Sequence, residues 1–118
     1  MTDDLKALLG PAADDLTPEQ LDVVAEAARD IEQRYADPDE QPERDAALTA
    51  TVQFLLGETS AHDAARTLIA ARAEERRAYV HAEQVGVLLH RVQGTPKATA
   101  AEAVGISRMS LLKALGER

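Results

Sequence analysis

Polar and cationic side chains able to contact nucleic acid cluster near the end of the chain, at Ser107-Arg108-Met109-Ser110 and Lys113. At helical spacing, Leu111, Ala114 and Leu115 form an apolar face that turns toward a core, and residues 108–110, 112 and 113 lie on the opposite face. An α-helix fits the major groove of B-form DNA, and side chains near its N-terminus reach base edges. Double-stranded DNA is therefore the expected partner of this surface.

The residues before Ser107 have the composition of a partner helix and a tight turn. Thr95 is expected to cap a first short helix that has Pro96 at its first position and ends at Val104. Ala100 and Ala101 are small enough for a second helix to cross closely. Gly105 suits a left-handed turn, Ile106 fills the corner and Ser107 caps the second helix. These features predict a helix-turn-helix over residues 95–118.

This stretch resembles the helix-turn-helix of Fis-type DNA-binding proteins and of the C-terminal domains of related bacterial activators. Similar endings occur in resolvase-type domains and in small actinobacterial regulators. The resemblance covers 24 of the 118 residues. It implies a bacterial, sequence-specific DNA-binding protein that regulates transcription. A homodimer is a separate hypothesis, which rests on a heptad seam in the long helix and on the apolar faces of the N-terminal helices. The matching residues are Ala100-Ala101, Gly105-Ile106-Ser107-Arg108, Leu111, Lys113 and Leu115.

The resemblance also implies roles for individual residues. Arg108 would read a guanine through its O6 and N7 atoms. Ser110 and Lys113 would contact phosphate or a base edge, and Met109 would pack on a thymine methyl group. Thr95 and the exposed backbone at 96–98 would receive a phosphate at the helix N-terminus. The expected DNA-binding set is Thr95, Lys97, Ser107, Arg108, Met109, Ser110 and Lys113.

Each of these residues has a simpler interpretation as well. Arg108 would form a surface salt bridge, with Glu102 as one partner, and Lys113 would be a solvated lysine. Leu112 departs from the family pattern, in which a basic or polar residue is commoner, and this leucine suggests a protein contact or weak DNA affinity. A group of arginines would extend a phosphate-binding surface or pair with Glu74, Glu75 and neighbouring acids; they are Arg66, Arg72, Arg76, Arg77 and Arg91.

The net charge of -8 is unevenly distributed. Residues 1–59 hold fifteen acids and four bases, residues 60–93 four acids and five bases, and residues 94–118 two acids and four bases. A polyanion would be repelled by the first region and accepted by the last. We therefore expect an acidic helical region for packing or dimerisation at 1–59, and a long helix plus the helix-turn-helix at 60–118. The alternative function is a helical adaptor whose acidic half binds a basic protein.

The rest of the chain predicts an all-α helical bundle whose long helix leads into the C-terminal motif. A short helix at Asp3–Leu9 precedes a second helix with a capping box at Thr17. Residues 36–43 are expected to form a linker, and a third helix is expected from Glu43 to Gly57. A long helix should start at Ser60 and run to Gln93.

Two questions about this long helix stay open. Positions 64, 68, 71, 75, 78, 82, 85, 89 and 92 make a heptad seam of mostly small residues, which suits either an intramolecular core or pairing with a second copy. A break near residues 73–77 would divide the helix into two.

The sequence offers little for catalysis or metal binding. It has no cysteine, and therefore neither disulfides nor thiolate ligands for zinc. His81 and His90 are nine residues apart, which places them on opposite faces of one helix. Phosphate-loop, zinc-protease and nucleophile motifs are lacking. No run approaches the roughly 18 apolar residues of a membrane span. We expect a cytoplasmic protein that has no cofactor or enzymatic activity and does not contact a membrane.

Overall fold

The computed structural model describes the backbone of residues 2–117 and the side chains of residues 5–117. Over that range the chain is all-α, with no β-strand. It divides into two compact units, Met1–Ala64 and Ala65–Arg118. The boundary lies just inside the long helix, five residues beyond the boundary expected after residue 59. Within the described range, no helix combines the length and apolar character that crossing a bilayer requires.

The first unit contains three helices: α1 (Thr2–Leu9), α2 (Pro18–Arg34) and α3 (Gln41–Leu55). The predicted capping box starts α2, because the Thr17 hydroxyl accepts from the Gln20 amide and the Gln20 side chain accepts from the Thr17 amide. Gln20 Nε2 also donates to the Leu55 carbonyl, 3.0 Å away. At the other end Arg44 donates to the Tyr35 carbonyl, so α2 and α3 pack antiparallel. Their shared core consists of Leu5, Leu16, Leu21, Val24 and Val52.

The segment between α2 and α3 is more ordered than the predicted linker. Residues Pro38–Glu40 form a 3-10 turn, whose first free amides are satisfied by the Asp37 carboxylate. The next helix begins at Gln41 instead of the predicted Glu43. Pro42 does not prevent this, because a residue in the first helical turn needs no amide hydrogen for an intrahelical bond.

The long helix α4 is continuous from Ala61 to Arg91, a length of 31 residues. The Ser60 hydroxyl accepts from the Asp63 amide at its start, and the helix passes through 73–77 without a break. It ends two residues before the predicted Gln93. Every residue from 61 to 78 is exposed, so this half of the seam lies outside the core of each unit.

The helices α5 (Lys97–Val104) and α6 (Arg108–Ala114) follow. The prediction that Thr95 caps α5 with Pro96 at the first helical position is wrong by one residue: Pro96 is the N-cap and makes no side-chain cap. Thr95 instead closes α4, because its amide donates to the Leu89 carbonyl and the Gly94 amide donates to the His90 carbonyl. This pairing satisfies carbonyls that α4 would otherwise leave free.

Candidate nucleic-acid interface

A small core joins the end of α4 to α5 and α6. Ala100 and Leu111 are completely buried, and Ala101 and Val87 are nearly so. Alanine at two successive buried positions of α5 lets α6 approach closely, as the sequence predicts. The second helix is therefore held by packing along one side, which fixes the side it presents to solvent.

Gly86 of α4 is part of the same contact. A Cβ atom at this position would lie 3.2 Å from Cγ2 of Val104 and 3.4 Å from Cδ1 of Leu111. No role was predicted for this residue, although a single glycine inside a long helix is a known sign of close packing. Its missing side chain is what allows α5 and α6 to meet α4 at this distance.

The turn between α5 and α6 has the predicted geometry. Gly105 adopts φ of 79°, a left-handed conformation that costs little without a Cβ atom. The Ile106 amide donates to the Ala101 carbonyl, which closes the end of α5, and the Ile106 side chain packs against the core. The Ser107 hydroxyl accepts from the Ser110 amide at 3.0 Å and so caps α6.

Arg108, Met109 and Lys113 point away from this core and are exposed, with Met109 showing 56% of its surface. The alternative salt bridge between Arg108 and Glu102 is not formed. Among the described residues, the two salt bridges are Arg77 with Glu74 and Lys97 with Glu117. Arg108 and Lys113 therefore carry charges that no carboxylate in the described part of the chain neutralises.

Two neighbours on α6 are less accessible than the sequence predicts. Ser110 is half-buried, and its hydroxyl oxygen accepts a hydrogen bond from the Ser107 hydroxyl. Leu112, the residue that departs from the family pattern, is also half-buried. Ser110 thus takes part in the cap of α6, and the exposed residues of this helix are Arg108, Met109 and Lys113.

Lys97 has a partner that the sequence did not predict. Its ammonium lies 2.7 Å from the Glu117 carboxylate, which is placed there by a chain reversal at Gly116 after α6. The hydrogen bond from Lys97 lowers the pKa of Glu117 below its ordinary value. At neutral pH Glu117 is therefore charged and competes with any other anion for Lys97.

Two further contacts hold the end of α4 against the chain around α5 and α6. Arg91 donates to the Leu115 carbonyl at 3.2 Å, so it satisfies the end of α6 in the manner typical of basic residues at helix C-termini. His90 Nδ1 lies 2.8 Å from the Thr95 carbonyl. These two residues bind backbone, and in the part of the chain that the structure describes no group of three His, Asp or Glu side chains is placed to hold a metal ion.

We predict that Gly86→Val lowers the free energy of unfolding of the C-terminal unit by about 1–3 kcal/mol, because the added methyl groups overfill a packed contact. Urea unfolding followed by circular dichroism measures the loss. Ala73→Val is the control, since it places the same β-branched side chain at an exposed position of α4. Equal stability of the two variants would contradict the close contact at Gly86.

No protein-family model, curated protein or solved structure matches this chain. The resemblance of residues 95–118 to Fis-type and resolvase-type motifs stays a prediction. A function for the chain therefore has to be inferred from its own residues.

Proposed function

We propose that the chain is a sequence-specific DNA-binding protein, a transcriptional regulator that places α6 in the major groove. The observation that carries the proposal is that Arg108, at the first position of α6, is exposed and pairs with no carboxylate among the described residues, while the fully buried Leu111 anchors the same helix. A guanidinium held at a helix N-terminus can donate two hydrogen bonds to a guanine edge. Met109, beside it, offers an apolar surface to a thymine methyl group.

The charges around α6 support the same assignment. Residues 94–118 carry two acids and four bases, whereas residues 1–59 carry fifteen acids and four bases. Lys113 lies on the exposed side of α6, and Lys97 begins α5, whose first amides have no side-chain cap. A phosphate at this point would meet an ammonium and free N–H groups together. Thr95, Lys97, Ser107, Arg108, Met109, Ser110 and Lys113 make up the proposed DNA-contacting set.

Binding through α6 alone would be weak, because the helix has seven residues and few cationic side chains. Proteins with such short recognition helices commonly bind as dimers, with two half-sites about 34–36 Å apart. We therefore propose that the chain acts as a homodimer.

We predict that Arg108→Ala weakens binding to a selected duplex by about 1–3 kcal/mol and relaxes specificity at one base pair, because it removes base contacts. Lys113→Ala should weaken binding to all duplexes alike. It should also reduce the slope of log affinity against log salt concentration by about one, which corresponds to one phosphate contact. Fluorescence anisotropy over a range of salt concentrations measures both effects.

Arg34→Ala is the control for this experiment, because it removes the same charge from an exposed position in the first unit. It should leave affinity within error of the parent protein. An unchanged affinity of the Arg108 variant, or binding that does not weaken with added salt, would contradict the assignment of α6 to the groove.

The Lys97 salt bridge gives a second prediction. Glu117→Gln should raise DNA affinity, since Lys97 becomes free to neutralise a phosphate. The slope of log affinity against log salt concentration should steepen by about one, which corresponds to one added phosphate contact. Glu102→Gln removes the same charge from α5 without releasing Lys97, and should have the smaller effect. Because the pKa of Glu117 is lowered, the salt bridge persists at neutral pH and is lost only as the pH falls through that lowered value. An equal gain in both variants would show that net charge, and not Lys97, is responsible.

A second candidate function is supported by a groove in the first unit. Its volume is about 440 Å³, its wall includes Leu8, Leu48 and Leu56, and its rim includes Asp45 and Glu58. Leu8 leaves 69% of its surface exposed. A groove lined by both leucines and carboxylates suits a basic amphipathic helix, as expected of an adaptor that binds a basic protein. Absence of any salt-sensitive binding to duplex DNA would favour this function over the first.

A further inference from the structure

The long helix α4 exposes an apolar surface that the described chain leaves uncovered. Leu68, Val85 and Leu88 show 49%, 39% and 46% of their surfaces, respectively, and every residue from 61 to 78 is exposed. Helices in proteins are stabilised mainly by burying one side against another element. A continuous helix with this much exposed apolar surface is therefore expected to gain stability from a partner.

The exposed residues, together with the half-buried Ala82, form one regular seam. Positions 68, 71, 75, 78, 82 and 85 follow the alternating steps of three and four that keep one stripe of a helix facing a neighbour. Leu68 and Val85 stand at the two ends, three alanines lie between them, and Glu75 is the charged member. The large residues at the ends and the small ones in the middle allow a second helix to lie close along the whole length.

We propose that the partner is α4 of a second copy, paired antiparallel so that Leu68 lies opposite the partner's Val85. In this register Ala71 meets the partner's Ala82, and the two large ends of the seam pack on each other. This pairing gives the proposed homodimer its interface. The relation between the dimer and the spacing of DNA half-sites rests on the proposed DNA binding.

The charges beside the seam favour the antiparallel orientation. In the stated register Glu74, which pairs with Arg77 within its own helix, flanks the partner's His81. Arg72 flanks the partner's Tyr79, whose ring already lies under the Arg76 guanidinium of its own helix. A parallel pair in register would place Glu75 directly opposite the partner's Glu75, whereas the antiparallel register offsets the two carboxylates by three residues, about 4.5 Å along the helix. Self-complementary contacts of this kind are those of a two-fold symmetric interface, in which the same surface is used by both subunits.

This register also fixes the distance along α4 between the α6 helices of the two copies. The two-fold axis passes between residues 76 and 77, and α6 contacts α4 at Gly86 through Leu111 and at Arg91 through Leu115. The middle of that contact is about 12 residues from the axis, so at about 1.5 Å per residue the two recognition helices lie about 36 Å apart along α4. Half-sites on successive turns of B-form DNA are about 34–36 Å apart.

The α5 and α6 helices of the two copies would also lie on the same side of the α4 pair. At about 100° per residue, Gly86 and His90 are about a quarter turn around α4 from the seam. A two-fold axis perpendicular to the plane of the two helices leaves both of these surfaces on one side. A single DNA duplex can then contact both copies of α6.

Disulfide trapping tests the register directly, because the chain has no cysteine of its own. Leu68→Cys and Val85→Cys are purified separately, mixed in equal amounts without DNA and oxidised. The expected result is a disulfide-linked heterodimer from the mixture and little linked product from either variant alone, since the antiparallel register keeps like positions far apart. Ile69→Cys mixed with Val85→Cys is the control, because Ile69 is exposed on a different side of α4 and should not link.

Linked dimers from each variant alone would show a parallel pair and overturn the proposal. Absence of linked product would also overturn it, whether sedimentation finds a monomer or a dimer that uses another surface. Leu68→Glu gives a second measurement: it should shift sedimentation toward the monomer, because it places a charge in the seam, whereas Ile69→Glu should not. Since none of these experiments contains DNA, their outcome is independent of whether Arg108→Ala affects DNA binding.

Discussion

The close approach of three helices at Gly86 is the contact on which the C-terminal unit depends. Val104 of α5 and Leu111 of α6 lie against the backbone of α4, where a Cβ atom would be 3.2 and 3.4 Å from them. Because interiors are densely packed, such a contact has little freedom to shift. It fixes the orientation of α6 relative to α4, and therefore the direction in which Arg108 and Met109 face.

Order at the ends of these short helices comes from local hydrogen bonds that complement this packing. Ser107 caps α6 at its start, Arg91 satisfies the Leu115 carbonyl at its end, and Thr95 closes α4. A seven-residue helix is marginal in water without such support. These hydrogen bonds and the packing hold α6 in a fixed orientation, which favours the proposed use of its exposed side as a recognition surface.

Much of this arrangement is predictable from local sequence. The capping box at Thr17, the serine cap at Ser107 and the left-handed Gly105 depend on residues within a few positions of one another, and all three are present as predicted. The start of α5 was misplaced because the role of Thr95 is decided by the end of α4. The salt bridge of Lys97 with Glu117 joins residues 20 positions apart, and the crowding at Gly86 arises only when the helices cross. Local spacing carries no signal for the salt bridge, and the lone Gly86 inside a long helix indicates a close contact without identifying its partners.

Selection of bound sequences from a random duplex library tests the central claim most directly, since it requires both a reading surface and its pairing. The account predicts enrichment of two inverted half-sites whose centres are about 10–10.5 base pairs apart, each with a guanine that Arg108 can contact. Lack of enrichment at low salt would contradict DNA binding. Enrichment of a single half-site without a symmetric partner would contradict pairing of the two recognition helices.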